Sequence, residues 1–421
     1  MRMTSAMRFS TALRQHVRNK IEQMDHADIV VGVPSFSSAQ SIENVLKMIF
    51  KGIKRHYPDH RAFIVVSDGG STDDTREVAR LVDPKSYNID SIVTIYRGLP
   101  GKGSGLRAVL EIAAFLKARA VAFFDSDLMS ITPEWIKSLI DPVMDGYDFV
   151  APDYNRYKLD GTITNTIAYN LTRALYGQKI RQPIGGDFGV SPALVRYYLN
   201  QDVWETDVAK FGIDIWMTTS AIVGGFRICQ AKLGAKVHGH KDPTADLGPM
   251  FRQVVGTTFQ LMTQYQEYWM NVKGSKDVPS IGEAAGQEAE PFEIDHLSLI
   301  EYFKVGMKNF SGVWQNIIEE NDMKSINDLA IVDKPDQFNL PIETWVKIVY
   351  QYAGTFHASP RQRFKVLDTM IPLYYARIAS LVNELKDKNA KEAEDHFEAQ
   401  AKCFEDLKGY MIEIWNRKGG A

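Results

Sequence analysis

Ala120-Val121-Ala122-Phe123-Phe124-Asp125-Ser126-Asp127 runs from an apolar segment directly into two carboxylates one residue apart. Neighbouring side chains on a strand point to opposite faces, whereas i and i+2 share one. If 120–124 is a strand, Asp125 and Asp127 turn toward the same cleft at its carboxyl end. That end is where ligands of open α/β sheets bind. Carboxylate oxygens in such a pair suit Mg²⁺ or Mn²⁺, ions commonly shared with substrate phosphates. A lone D-x-D reads equally well as a solvated turn, so its meaning rests on the surrounding chain.

Upstream, apolar runs alternate with helical patterns. Residues 27–33 (ADIVVGV), 62–66 (AFIVV) and 91–96 (SIVTIY) read as strands. Residues 39–56, 75–81 and 105–117 carry apolar side chains at helical spacing. This alternation predicts βαβ units on a mostly parallel sheet. Two further motifs fall at the joints. Ser67-Asp68-Gly69-Gly70-Ser71-Thr72-Asp73-Asp74-Thr75 follows the second strand and opens a helix. Ser71, Thr72 or Asp73 can cap that helix, and Asp68 can accept a hydrogen bond from a nucleobase. Gly98-Leu99-Pro100-Gly101-Lys102-Gly103-Ser104-Gly105 precedes the third helix. Its glycines let backbone approach a phosphate and Lys102 adds a positive charge. It is not a Walker loop, because G-x-x-x-x-G-K-[ST] is not met.

The pattern changes near Pro249, becoming mainly helical and rich in Met, Phe, Tyr and Trp. The expected organisation is an N-terminal arm or surface helix over 1–26, an α/β domain over 27–248 and a mainly α-helical domain over 249–421. Residues 273–293 read as a loop, and 342–355, 361–385 and 389–415 as long helices. The 421 residues are 45% apolar with a formal net charge of −3, which excludes a global basic field for nucleic acid. Two cysteines, Cys229 and Cys403, exclude a disulfide framework and a thiolate metal site, and point to a reducing cytoplasm. The basic N-terminus lacks the apolar run of a signal peptide, and no stretch has the roughly 20 apolar residues of a membrane span.

In order, strand–PSF, strand–SDGGSTDDT and PGKGSG–helix–strand–DSD resemble the nucleotide-sugar-binding half of GT-A glycosyltransferases. The resemblance implies that Pro34, Ser35 and Phe36 line base and ribose. It sets Asp68 at the base, Lys102 and Gly103 near the nucleotide, Asp125 and Ser126 beside the donor, and Asp127 on the metal. Many relatives have Asn-Glu where this chain has Ser37-Ser38. Processive inverting members carry Q-x-x-R-W, which is absent. Instead the chain has Gln182-Pro183-Ile184-Gly185-Gly186-Asp187-Phe188-Gly189, Phe211-Gly212-Ile213-Asp214-Ile215-Trp216 and Gly234-Ala235-Lys236-Val237-His238. This set resembles the retaining synthases of mannosylglycerate, glucosylglycerate and glucosyl-3-phosphoglycerate.

That likeness implies His238 as a further metal ligand beside Asp127 and Asp125, with His240 as a nearby competitor. It implies Gly186 and Asp187 at the donor sugar, and Asp214 at the donor or acceptor sugar. Asp127, Asp187 and Asp214 are the catalytic candidates. Arg156, Asp160 and Thr164 are candidates for an acceptor carboxylate, since a guanidinium can grip both carboxylate oxygens. The expected reaction moves a hexose, with retention, from GDP-mannose, GDP-glucose or UDP-glucose to D-glycerate. Transfer to 3-phosphoglycerate is the alternative, with Lys158, Arg173, Lys179 and Arg181 as phosphate-binding cations. A nucleotidyltransferase is a weaker alternative, since its Gly-rich loop belongs after the first strand, where PSFSSAQS stands. A non-catalytic binding module is disfavoured by the intact acidic set. The expected partners are small molecules, with a homodimer allowed.

Overall fold

The computed structural model describes residues 9–237, 243–283 and 289–419. The chain divides into two compact units. One comprises Met1–Asn155, Gln182–His240 and Val278–Ala289; the other comprises Arg156–Arg181, Lys241–Asp277 and Glu290–Ala421. Among the described residues no helix is long and apolar enough to cross a membrane.

The strands are β1 (Ile29–Ser35), β2 (Ala62–Asp68), β3 (Asp90–Ile95), β4 (Ala120–Phe123), β5 (Phe149–Asn155), β6 (Gln178–Lys179), β7 (Phe188–Val190), β8 (Ile228–Ala235), β9 (Lys276–Asp277) and β10 (Ser280–Ile281). Eight of them form one sheet in the first unit, in the order β10-β8-β5-β7-β4-β1-β2-β3. All its pairings are parallel except those of β7 with β4 and β5. This is a mostly parallel α/β sheet, as the alternating pattern predicts.

The continuous apolar run of β1 has a simple cause, because both of its faces are covered. Ile29, Val31 and Val33 share a core with Leu46, Ile49, Phe50 and Ile53 of the helix Ile42–His56. On the opposite face, a Cβ at Gly32 would lie 2.6 Å from Val109 of the helix Lys102–Phe115. Each such fully buried side chain contributes about 1.5–3 kcal/mol. The register sets Ser35 beside Asp68 and Gly32 beside Phe123. The segments after β1, β2 and β4 therefore leave the sheet on one rim.

β3 is the outer strand, and the chain's beginning covers it. Lys20 Nζ donates to the Ser91 carbonyl (2.6 Å) and Arg14 Nε to that of Ile95 (2.7 Å). The Arg97 amide donates to the Ala12 carbonyl (2.8 Å). The helix Gln15–Glu22 belongs to this cover.

Three sequence expectations need correction here. The helix expected over 389–415 is two helices, Ala390–Asp406 and Lys408–Gly419. The stretch 273–293 is not all loop, since it supplies β9 and β10. The pattern over 361–385 is two helices, Arg363–Asp368 and Ile371–Leu385, with Pro372 at the start of the second. Proline is tolerated at that position and not in a helix interior. The second unit is otherwise helical, with Trp269, Trp314, Trp345, Tyr350 and Tyr374 fully buried.

Candidate active site

The carboxyl rim of the first unit gathers five charged side chains. Lys102 is the first residue of its helix, three positions earlier than the periodicity suggests. Its ammonium lies 2.8 Å from Asp125 Oδ1 and 3.0 Å from Asp214 Oδ2. Lys236, from the segment following β8, lies 3.3 Å from Asp125 Oδ2 and 3.1 Å from Asp187 Oδ2. It also donates to the Gly185 carbonyl (2.8 Å) and sits 4.8 Å from the centre of the Tyr154 ring. Asp187 Oδ1 accepts from the Asp125 amide (2.7 Å), and Tyr154 donates its hydroxyl to Asp187 Oδ2. Gly186 has φ +92°, and a Cβ there would lie 2.2 Å from Asp125 Oδ2. Glycine is therefore needed both for the turn and for room beside Asp125.

Three carboxylates thus share two ammonium groups in a poorly hydrated place. Burial raises the Asp214 carboxyl to about 6, against the pull of Lys102. Burial likewise raises Asp187, against Lys236. Burial alone would lower Lys102, but Asp125 and Asp214 outweigh it and raise its pKa, so the ammonium stays charged. Asp214 Oδ1 is buried and finds no hydrogen-bond partner among the described residues. An unsatisfied buried acceptor next to a fixed cation is a place for a ligand's hydroxyl.

Several sequence expectations change. Asp187 does not line an open sugar site: it is fully buried and engaged by Asp125, Tyr154 and Lys236, so it holds other groups in position. Asp68 is also fully buried, and its oxygens accept from Gly70 N, Ser71 N, Ser35 Oγ and Ser71 Oγ. It organises the loop instead of offering an open acceptor to a base. Gly101 and Gly103 of PGKGSG are packed tightly against the backbone of residues 208–210. A Cβ at Gly103 would lie 1.9 Å from the Val208 carbonyl, and Gly103 N donates to Lys210 O (3.2 Å). That close contact ties the start of the Lys102 helix to the turn preceding the helix Ile213–Val223, which bears Asp214.

Pro34 and Ser35 end β1, and Phe36 beyond them is 65% exposed. Ser126 Oγ bonds to Ser38 Oγ (2.8 Å), so Ser38 ties the loop after β1 to the D-S-D segment. Val237 N donates to Ser130 Oγ and Met129 N donates to Val237 O, both at 2.9 Å. His238 and His240 lie outside the described residues. Among the described residues no three His, Cys, Asp or Glu side chains form a metal-binding group.

The acceptor candidates belong to the second unit. Arg156 Nη1 lies 3.0 Å from Asp160 Oδ2. A Cβ at Gly161 would lie 3.4 Å from Arg156 Nη1 and 3.7 Å from Thr164 Oγ1, so both polar groups converge over this glycine. The proposed phosphate cations do not form an open cluster. Lys158 donates to the carbonyls of Leu385, Lys386 and Lys388; Arg173 pairs with Glu398 and Glu405; Lys179 pairs with Asp277; Arg181 pairs with Glu394. Sequence reasoning also missed Lys236 and Tyr154. Lys236 stands two residues before His238 in G-A-K-V-H, a spacing that shares one side of an extended chain.

The model of glycosyl transferase family 2 matches residues 30–204. A glucosyl-3-phosphoglycerate synthase of Mycolicibacterium paratuberculosis is 28% identical over 215 residues, covering 46% of this chain and 61% of that enzyme. The match thus spans about three fifths of that relative's length. The enzyme of the same name from Mycolicibacterium smegmatis is 26% identical over 247 residues, covering 54% of this chain and 76% of that one. A crystal structure of the Mycobacterium tuberculosis enzyme with Mn²⁺, uridine diphosphate and glucosyl-3-phosphoglycerate is 24% identical, with a TM-score of 0.44, covering 57% of this chain and 81% of that one. Residues 30–204 are thus similar to glycosyl transferase family 2, and the chain is similar at modest identity to glucosyl-3-phosphoglycerate synthases.

Proposed function

We propose that the protein is a cytoplasmic, metal-dependent hexosyltransferase that moves a hexose from a nucleotide diphosphate sugar to D-glycerate, with retention at the anomeric carbon. The observation carrying this reading is the rim cluster in which Lys102 bridges Asp125 and Asp214 while Lys236 bridges Asp125 and Asp187. A fixed, charged ammonium at that rim suits a departing diphosphate, whose negative charge grows in the transition state. Asp214 Oδ1, which finds no partner among the described residues, suits a hydrogen bond from a hexose hydroxyl. Asp187 and Tyr154 keep Asp125 and Lys236 oriented and are positioning residues. In the second unit, Arg156 and Thr164 suit the two oxygens of a carboxylate.

The residues fit a divalent cation in part. Both oxygens of Asp125 already face ammonium groups, so within the D-x-D pair Asp127 is the better ligand. His238 directly follows Val237, which is held to Met129 and Ser130, two and three residues past Asp127. Mg²⁺ or Mn²⁺ held by Asp127 and His238 would neutralise the leaving diphosphate as a Lewis acid.

A second reading is transfer to 3-phosphoglycerate, favoured by the name of the curated relatives. The internal pairing of Lys158, Arg173, Lys179 and Arg181 weighs against it. The test is an activity matrix of GDP-mannose, GDP-glucose and UDP-glucose against D-glycerate, 3-phosphoglycerate and D-lactate, scored by nucleoside diphosphate release. An α linkage by NMR coupling is expected. Release of pyrophosphate, or a β product, would overturn the assignment.

A further inference from the structure

Residues 164–168 of the second unit wind as a π-helix, in which the Tyr169 amide reaches back five residues to the Thr164 carbonyl. Such wide turns are rare and often mark functional positions. This one begins at Thr164, one of the two groups that converge over Gly161. Its backbone is gripped by buried side chains from distant sequence. The Asn165 carbonyl accepts from Gln400 Nε2 (2.6 Å) and Asn170 Nδ2 (3.0 Å). The Thr166 carbonyl accepts from Trp345 Nε1 (3.0 Å). Gln400, Asn170 and Trp345 are all fully buried.

We infer that Gln400 and Trp345 are positioning residues for the acceptor: they clamp the π-helix so that Thr164 and Arg156 present one fixed pair of hydrogen-bonding groups to a hydroxy-acid carboxylate. Gln400 lies on the helix Ala390–Asp406 and Trp345 on Ile342–Ala358, so the C-terminal helices set acceptor selectivity from behind the residues that touch it. Removing Gln400 leaves the Asn165 carbonyl with Asn170 as its only side-chain donor among the described residues. Removing Trp345 Nε1 takes the side-chain donor from the Thr166 carbonyl. In either case the turn can relax toward ordinary α geometry. Thr164 then rotates away from Arg156. The inference rests on the reading that Arg156 and Thr164 bind the acceptor.

The test is steady-state kinetics with acceptor and donor varied in turn, using D-glycerate and 3-phosphoglycerate. Gln400→Leu and Trp345→Phe should each raise the acceptor KM about threefold to tenfold with the donor KM unchanged, as expected for one lost buried hydrogen bond. Trp345→Phe keeps most of the ring and serves if Gln400→Leu fails to fold. Tyr350→Phe is the control. It removes a bond of equal kind, to the Phe404 carbonyl (2.6 Å), between the same two helices but away from the turn, and should leave the acceptor KM alone. An acceptor KM that responds to Arg156→Lys but to neither clamp variant overturns the inference and spares the reading. If Tyr350→Phe acts as strongly as the clamps, general softening explains the effect and the inference fails. If Arg156→Lys is also silent, the acceptor reading falls and the inference with it.

Discussion

Both units bury charge, yet they do so with opposite effect. In the helical unit, Arg377 is fully buried and forms two hydrogen bonds to Glu384, with a third to the Leu340 carbonyl. Burial there would raise Glu384, but His396 and Arg377 more than offset it and hold the carboxyl below its ordinary range. In the sheet unit, Asp187 and Asp214 are held above theirs despite two nearby lysines. The first network is matched in charge, although Arg377 Nε finds no hydrogen-bond partner among the described residues. The second has a carboxylate too many, and Asp214 Oδ1 finds no partner among the described residues. The difference lies in the charge balance, matched in a structural ion pair and unmatched in the candidate site.

The sharpest challenge is to remove one cation from each network. Lys236→Met and Arg377→Met should each destabilise by about 3–5 kcal/mol, because each strands buried carboxylate. Denaturant unfolding measures this. Only Lys236→Met should also abolish turnover in the folded fraction. Equal loss of turnover in both variants would erase the distinction between the networks. Next in size, Asp127→Ala should lower turnover on the order of a hundredfold to a thousandfold with little loss of stability. Chelation should silence the unaltered enzyme, and Mn²⁺ or Mg²⁺ should restore it. Full activity in excess chelator would remove the metal from the scheme.

A smaller effect probes whether the helical unit is purely a scaffold. Arg156→Lys keeps the charge but loses the fork, and should raise the acceptor KM about tenfold to a hundredfold with the donor KM steady. Glycerate kinetics that do not change would leave Arg156 with a structural role beside Asp160. The smallest effect concerns pH. The Asp214 carboxyl is raised from 3.8 to about 6, so its contribution to stability is full below pH 3.8 and is lost as pH rises through about 6. Asp214→Asn should therefore be more stable than the parent near pH 7.5, by about 1–3 kcal/mol, and lose that advantage below about pH 4. A variant less stable than the parent at pH 7.5 would show that Asp214 is needed by Lys102, not in excess.

Much of the sheet was legible because β1, β2 and β4 are mainly apolar runs ending in Pro, Asp or D-x-D signals, and β3 keeps the β-branched run Ile92-Val93-Thr94-Ile95. Lys102, Asp125, Asp187 and Asp214 were each visible as members of short motifs, and the structure brings these four together. The tasks of Asp68 and Asp187 were not visible, because a carboxylate's spelling is the same whether it faces a cleft or its own loop. Gly103 misled for a similar reason: glycine permits close approach, but sequence does not say of what. Lys236 was missed because its partners lie about fifty and over a hundred residues away. The short strands β7 and β10 carry too few residues for periodicity to register.

The cover over β3 has a practical corollary. Lys20, Arg14 and Ala12 satisfy the outward backbone groups of Ser91, Ile95 and Arg97. A shortened chain starting at residue 27 would keep every side chain of the rim cluster. It would also expose a strand edge ready to pair with its like. Such a fragment should be catalytically intact when dilute and self-adhesive when concentrated, with light scattering rising before activity falls. What reads as a dispensable leader would then act as the molecule's protection against precipitation.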